Sequence, residues 1–370
     1  MISSLLEDGV ETLIRSPAGE LELIERRLRR LDQLKNERSV DLSTRTLERV
    51  WEAGRRPERI TLRRGLLLSN PQDPPPPLTQ LLRPRGVALR FYLLAVFEAQ
   101  CRLGVGDEWT RKGSPRLKGP NSWSDFVAID GAYDKPSNTY MPITTGDRDL
   151  QTLRRQQIHG ALRTLESLGS DNERALVEVP ERARGGRDYA DFRLMQETGR
   201  GGAQTPALYS IPANTRNATF TVPVEFFLHG WIQVLQPAEV ATWMILRWLA
   251  QTYPGKHSQT GVYLYAKHRT GWFRLRRDSY EDACNRLLSF GLIQNARADF
   301  ANSSGSGPSR KLGSQDEADA FLMTFSQPAR TDVHEPNRYQ VTNNGLAEDA
   351  VTTCNRELLL RQHQLRMRQD

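Results

Sequence analysis

The chain of 370 residues carries few of the groups that do chemistry. Its three cysteines, Cys101, Cys284 and Cys354, are far apart and form no CxxC pair, which excludes a thiolate metal set of the usual spacing. Cys101 and Cys284 lie in apolar helical patterns and read as buried thiols, as expected in a reducing compartment. Six histidines are present, and none stands in an HxH or HExxH arrangement. Asp147 and Asp149 precede a helix and read as N-cap acids instead of a metal pair. No GxxxxGK[ST] occurs, so a P-loop is excluded, and the Gly cluster at 199–202 has no strand-to-helix context. No apolar run reaches the ~18 residues of a membrane span, and the first residues lack the basic and apolar regions of a signal peptide. These absences imply no metal, no cofactor and no enzyme, and a cytoplasmic chain that does not enter membranes.

Lysine is scarce as well, 7 against 44 arginines. Guanidinium groups suit phosphates and base edges, while a GC-rich coding sequence accounts for the same bias. The net charge is +7, spread thinly: residues 1–70, 71–216 and 217–343 carry +2, +3 and +2, and the last 27 residues balance. Any surface for an anionic partner must therefore come from local clustering.

What the chain does contain is one helix written twice. Leu153–Gly169 reads LRRQQIHGALRTLESLG and Leu275–Gly291 reads LRRDSYEDACNRLLSFG. Seven of the seventeen positions are identical. Both copies open on an Arg pair, carry an apolar stripe and stop at Gly. The helix before each copy also recurs: Tyr92 aligns with Trp243, Phe97 with Trp248, and Ala99-Gln100 with Ala250-Gln251.

Around these helices the chain divides into five parts. Residues 1–69 read as a helical region, with Leu21, Ile24, Leu28 and Leu31 on one face and a second helix N-capped by Ser43. A Pro-rich linker, 70–79, holds PQDPPPP. In 80–216, helix 85–102 and a short element precede the first repeat helix; ALVEVP and DFRLMQE then read as strands around a Gly/Arg loop. In 217–343 the order recurs. Pro237 opens a helix, GVYLYAKHR is a short helix or a strand, and Asp278 with Glu281 suggests a capping box. A strand, a long Gly/Ser loop, FLMTF and NRYQVT come next. Residues 344–370 read as a C-terminal helix. The fold class is thus α+β and mainly α.

Helix, short helix, longer helix, strand, loop, strand, given twice, resembles tandem winged-helix DNA-binding proteins of the plasmid and phage replication-initiator or transcription-regulator type. The resemblance implies two winged-helix (helix-turn-helix) domains after a helical N-terminal region. It also implies that the repeat helix enters a major groove.

On the first copy, the stripe Ile158, Ala161, Leu162, Leu165 and Leu168 leaves Gln156, His159, Gly160, Arg163 and Ser167 outward. Gln156, His159 and Arg163 are the expected base readers, and Arg154 and Arg155 the expected phosphate contacts. Two loops add cations: Arg111, Lys112, Arg116 and Lys118 between Trp109 and Trp123, and Arg182, Arg184 and Arg187 around Gly185-Gly186. In the second copy Asp278, Glu281 and Asp282 face outward with Asn285 and Ser289, while Lys267, Arg269, Arg274, Arg276 and Arg277 precede or open the helix. That copy either holds the DNA backbone or binds a protein.

The expected function is sequence-specific binding of double-stranded DNA, in replication initiation or transcription regulation, by a nucleoid-associated protein. The alternative is a non-catalytic protein-interaction scaffold built on winged helices. A homodimer or a protein partner engaged through the second domain or the terminal helices stays open.

Overall fold

The computed structural model describes residues 17–36, 38–82, 87–129, 132–134, 139–141, 150–169, 171–201, 206–213, 218–296 and 337–368. Two helices lead, α1 (Pro17–Asn36) and α2 (Ser39–Ala53). Strand β1 (Arg59–Arg63), a short α3 (Pro77–Gln80) and the long α4 (Ala88–Arg102) follow. Next come α5 (Trp123–Phe126), β2 (Ala132–Asp134), β3 (Thr139–Met141), α6 (Leu150–Glu166), β4 (Val177–Glu178) and β5 (Arg193–Leu194). The remainder runs through β6 (Thr219–Pro223), α7 (Glu225–Leu228), α8 (Trp231–Val234), α9 (Pro237–Thr252), α10 (Pro254–Thr260), α11 (Ala266–Gly271) and α12 (Arg277–Ser289). It ends with β7 (Ile293–Asn295), β8 (Tyr339–Val341) and α13 (Ala350–Arg366). The fold is mainly helical, and its described strands pair in antiparallel twos: β1 with β6, β2 with β3, β4 with β5, and β7 with β8.

The duplicated helix is α6 in its first copy and α12 in its second. Ile158, Ala161, Leu162, Leu165 and Leu168 are buried, and so are Tyr280, Ala283, Cys284, Leu287 and Phe290 at the matching positions. Each fully buried large apolar side chain contributes about 1.5–3 kcal/mol. Gly169 and Gly291 both stop their helices in the left-handed region, at φ 85° and 71°. The chain then turns back over the helix in the same way. Leu176 N–H donates to the Leu165 carbonyl at 2.9 Å, and Leu292 N–H donates to the matching Leu287 carbonyl at 3.0 Å.

The duplication extends further upstream than these helices. Strand, short helical turns and a long helix occur as β1, α3, α4 and again as β6, α7, α8, α9. The two strands join the copies. Ile60 pairs with Val222, Thr61 with Thr221 and Leu62 with Phe220. The outer edge of each strand is closed by a glutamine from the following long helix. Gln100 Oε1 accepts from Thr61 N–H at 2.9 Å, and its Nε2 donates to the Thr61 carbonyl at 2.6 Å. Gln251 does the same for Thr221, at 2.8 and 2.7 Å. A primary amide carries the donor and acceptor of a peptide, so each glutamine replaces a neighbouring strand at an otherwise open edge.

After α4 and α9 the copies continue in parallel. Val262 exchanges both backbone hydrogen bonds with Tyr339, at 2.7 and 2.8 Å. GVYLYAKHR, for which helix and strand were both open, is thus a one-residue bridge at Val262 followed by α11 from Ala266. In the first copy Glu108 bridges Ser210, and Trp109 N–H donates to the Tyr209 carbonyl at 2.7 Å. Each copy therefore follows its long helix with a bridge, a short helix, the repeat helix and a strand, with β2 and β3 set between α5 and α6 in the first and α10 set before the bridge in the second.

Polar clamps lock the copies together around one apolar core. Buried Gln233 of α8 donates to the Phe126 carbonyl at 2.8 Å and accepts from Ala128 N–H at 3.0 Å. Arg90 of α4 donates to Ala128 and Ile232 carbonyls at 2.8 and 3.1 Å. Phe97 stacks on Phe227 with centroids 5.0 Å apart. Helix α2 packs against α5 of the first copy and α7 of the second. Helix α1 packs on α13, where Arg361 forms a two-bond pair with Glu20 at 3.0 Å. Ile24, Leu28 and Leu31 are buried on this side, as the spacing predicts, with Leu21 half-buried.

Three local expectations are corrected. Ser43 does not cap a helix; it lies within α2, buried, and donates to the Val40 carbonyl at 2.9 Å. The capping box at Asp278 and Glu281 is absent: Arg276 is the N-cap of α12, and Glu281 pairs with Arg277. The Pro-rich segment 70–79 is no free spacer. Pro76, Pro77, Leu78 and Thr79 are buried, and just before the segment Ser69 N–H donates to the Trp272 carbonyl at 3.1 Å. The leucines flanking the prolines supply the apolar surface that docks it. Strand β1 precedes this segment in the chain, yet its pairing with β6 makes it the opening strand of the first repeat. The Asp147/Asp149 reading, residues 297–336 with FLMTF, and residues 1–16 lie outside the described residues.

Candidate nucleic-acid interface

The face of α6 opposite its buried stripe is open. Gln156, Arg163 and Ser167 are exposed, and His159 and Gly160 are half-buried. A Cβ added at Gly160 would meet nothing within 4 Å, so the helix presents a shallow notch there. Arg163 keeps a weak local bond from Nε to the His159 carbonyl at 3.3 Å.

The expected phosphate contacts divide. Arg154 is 3% exposed and sits 4.0 Å from Asp125 of α5, so it is an internal ion-pair group and not part of the open face. The periodicity explains this, because Arg154 lies one turn before Ile158 on the buried stripe. Arg155 is half-buried and donates to Thr152 Oγ1 at 2.8 Å.

The two basic loops come together beside this helix. Arg111 Nε donates to the Ala190 carbonyl and Nη1 to the Ser114 carbonyl, both at 2.8 Å. It thus ties the 110–118 loop to the loop between β4 and β5. Arg102 supports the first loop from below, donating to the Lys112 carbonyl at 3.2 Å while lying over Trp109 at 4.7 Å. Trp109 and Trp123 are buried and anchor its ends. Lys112, Arg116 and Lys118 are exposed.

In the loop between β4 and β5, Arg182, Arg184 and Arg187 are exposed. Gly185 and Gly186 carry the turn at φ 82° and 84°, where side chains are strained. Arg187 is tethered: its Nη2 donates to Glu166 of α6 at 2.7 Å and Nη1 to the Val179 carbonyl at 3.0 Å. Arg182 pairs with Asp188 at 3.4 Å on the surface, a contact of about 0–1 kcal/mol that leaves the cation in water.

His159 reports the field these groups make. Its pKa is lowered, first by burial and then by Arg163, Arg155, Lys118 and Arg182. Four cations from α6 and both loops thus act on one imidazole. The ring stacks on Tyr189 with centroids 4.3 Å apart and planes at 15°. Tyr189 and Glu166, which fasten the Gly/Arg loop to α6, were not among the expected site residues. The sequence signal was the aromatic in RDYA, next to the Gly/Arg run.

The second copy is arranged otherwise. Arg269 is 7% exposed and donates to the Leu275 carbonyl at 2.9 Å, so it closes the turn between α11 and α12 instead of reaching solvent. Arg274 is bound to the Pro71 carbonyl, which docks the Pro-rich segment. Arg277 pairs with Glu281 at 2.7 Å. Lys267 and Arg276 are exposed. Asp278 is exposed beside them, with Glu281 and Asp282 half-buried on the same helix. The C-terminal half of α12 is overlain by α1: Glu20 lies 3.8 Å from Arg286, and Arg27 stands 4.9 Å from the Phe290 ring centre.

Among the described residues, no helix is long and apolar enough to cross a membrane. No protein-family model matches the chain, and no curated protein and no solved structure matches it either.

Proposed function

We propose that the chain binds double-stranded DNA through the first of two tandem winged-helix modules. The recurrence of long helix, bridge, short helix, repeat helix and strand in both halves supports the winged-helix reading. In it α6 enters a major groove, with Gln156 and Arg163 at base edges, and the loop between β4 and β5 is the wing. Lys112, Arg116, Lys118, Arg155, Arg182 and Arg184 meet phosphates. The observation that carries the reading is that Arg111, Arg187 and the His159–Tyr189 stack fasten two loops bearing exposed Lys112, Arg116, Lys118, Arg182 and Arg184 beside the open face of α6. Such a cluster is costly on a surface without an anionic partner. The protein is then a binding protein of the nucleoid, acting in replication initiation or transcription regulation, and no catalytic step is assigned to it.

The second module is read differently because Asp278, Glu281 and Asp282 share its outward helix with few free cations. It engages a protein or serves as a brace.

The test is selection of bound duplexes from a random DNA pool, followed by a salt titration on the enriched site. Each phosphate contact contributes about −0.9 to the slope of log K against log salt, so several contacts give a steep negative slope. Absence of binding at low salt overturns the reading.

A further inference from the structure

A second polar site lies away from α6. A cleft of about 520 Å³ opens where the segment after β1 meets the approach to β6. Its walls include Arg63, Arg64, Ser69, Asp73, Arg174 and Thr198. The volume falls in the ~300–1,000 Å³ range of small-molecule sites, and the wall mixes guanidinium and hydroxyl groups with apolar surface from Leu68, Pro212 and Ala213.

The cations are not equivalent. Arg63 is neutralised by buried Glu197 at 2.5 Å and held by Ser210. Arg64 and Arg174 have no carboxylate partner among the described residues; Arg174 makes only a long bond to the Thr198 carbonyl at 3.5 Å. The second observation is Ser69. It is 6% exposed, lines the cleft, and its hydroxyl has no hydrogen-bond partner among the described residues. Its backbone N–H donates to the Trp272 carbonyl, which fixes the chain at this point of the wall. A buried hydroxyl without a partner carries a desolvation penalty that a bound acceptor would remove.

We infer that this cleft binds a phosphate group, with Arg64 and Arg174 as charge-assisted donors and the Ser69 hydroxyl as a neutral one. Asp73 at the exposed mouth repels a second anion and accepts from a hydroxyl, which favours a phosphate carried on a sugar. The inference does not rest on the DNA reading, because none of these residues belongs to the α6 face.

Isothermal titration with inorganic phosphate and with adenosine monophosphate, at constant ionic strength, tests it on the full chain. Saturable binding is expected, with the nucleotide tighter. The double variant Arg64→Gln/Arg174→Gln raises Kd roughly tenfold or more, and Arg45→Gln, at an exposed position of α2, leaves it unchanged. Ser69→Ala, a small change at a buried site, weakens binding with the melting temperature held; it decides the matter if the double variant does not fold. Lack of saturation at millimolar phosphate, or binding indifferent to all three cleft residues, overturns the proposal. Repeating the titration with saturating duplex DNA identifies the source of the phosphate. Displacement by DNA assigns the cleft to a backbone phosphate, and unchanged binding assigns it to a free ligand.

Discussion

Gln100 and Gln251 perform the same task at the two outer edges of one strand pair. Each bonds both backbone groups of the threonine on its own strand, and those threonines, Thr61 and Thr221, face each other in register. The arrangement joins the two repeats and makes each a condition of the other's edge.

Loss of either glutamine should therefore loosen the whole molecule. Gln100→Leu leaves a peptide N–H and carbonyl unsatisfied in a buried setting and is expected to cost about 2–4 kcal/mol. Gln251 is exposed, so water replaces it and Gln251→Leu costs ~1 kcal/mol or less. Urea unfolding of both variants checks the order; equal losses would mean that burial does not set the cost.

Two arginines of α6 should fail in different assays. Arg163→Ala is expected to weaken binding to the selected DNA by roughly 1–3 kcal/mol and to relax one base position, with stability unchanged. Arg154→Ala strands Asp125 beside a buried site and should lower stability by about 1–3 kcal/mol. Binding measured by fluorescence anisotropy, beside thermal melts, separates them. An Arg154→Ala protein of full stability and lost DNA affinity would return that residue to the surface.

His159 makes stability depend on pH. Its folded pKa lies below the ordinary value, so above about pH 6.5 both folded and unfolded rings are neutral and the full stability is present. As pH falls through the unfolded value toward the folded one, the unfolded chain takes the proton more readily and stability drops. His257 and His268 shift the same way through burial. Only His159 also responds to the cation cluster. NMR titration of its ring should give a low value that rises when Arg163 and Arg182 are replaced by Gln. An unshifted ring would remove the cluster from around it.

The brace between α1 and the second repeat centres on Arg27 and Glu239, both nearly fully buried and joined by two hydrogen bonds. Glu239→Ala leaves an uncompensated cation inside and should cost about 3–5 kcal/mol. Replacing the pair with Met and Leu should recover most of that loss. Calorimetry of both proteins checks this, and a double variant as unstable as the single one would contradict it.

The parts of this architecture that were legible in sequence are those set by periodicity. The stripes of α6 and α12 and their glycine stops come from spacing and backbone conformation alone. The strand pair was not legible, because RITLR and TFTVP are short and far apart in the chain, and only the shared Ala-Gln hinted at a common role. Arginine placement was read least well. Arg154 was countable as buried from its position one turn before Ile158. Arg269 and Arg274 gave no such sign, because a guanidinium that caps carbonyls in a turn is indistinguishable in sequence from one in water. Charge counted along the chain therefore overstated the cations available to the second module.

The register of β1 and β6 turns one strand onto the other by a half rotation about the point between Thr61 and Thr221, which is how identical subunits pair. Two repeats paired in this way within one chain can carry different outer residues, as Gln156, His159 and Arg163 on α6 and Asp278, Glu281 and Asp282 on α12 show.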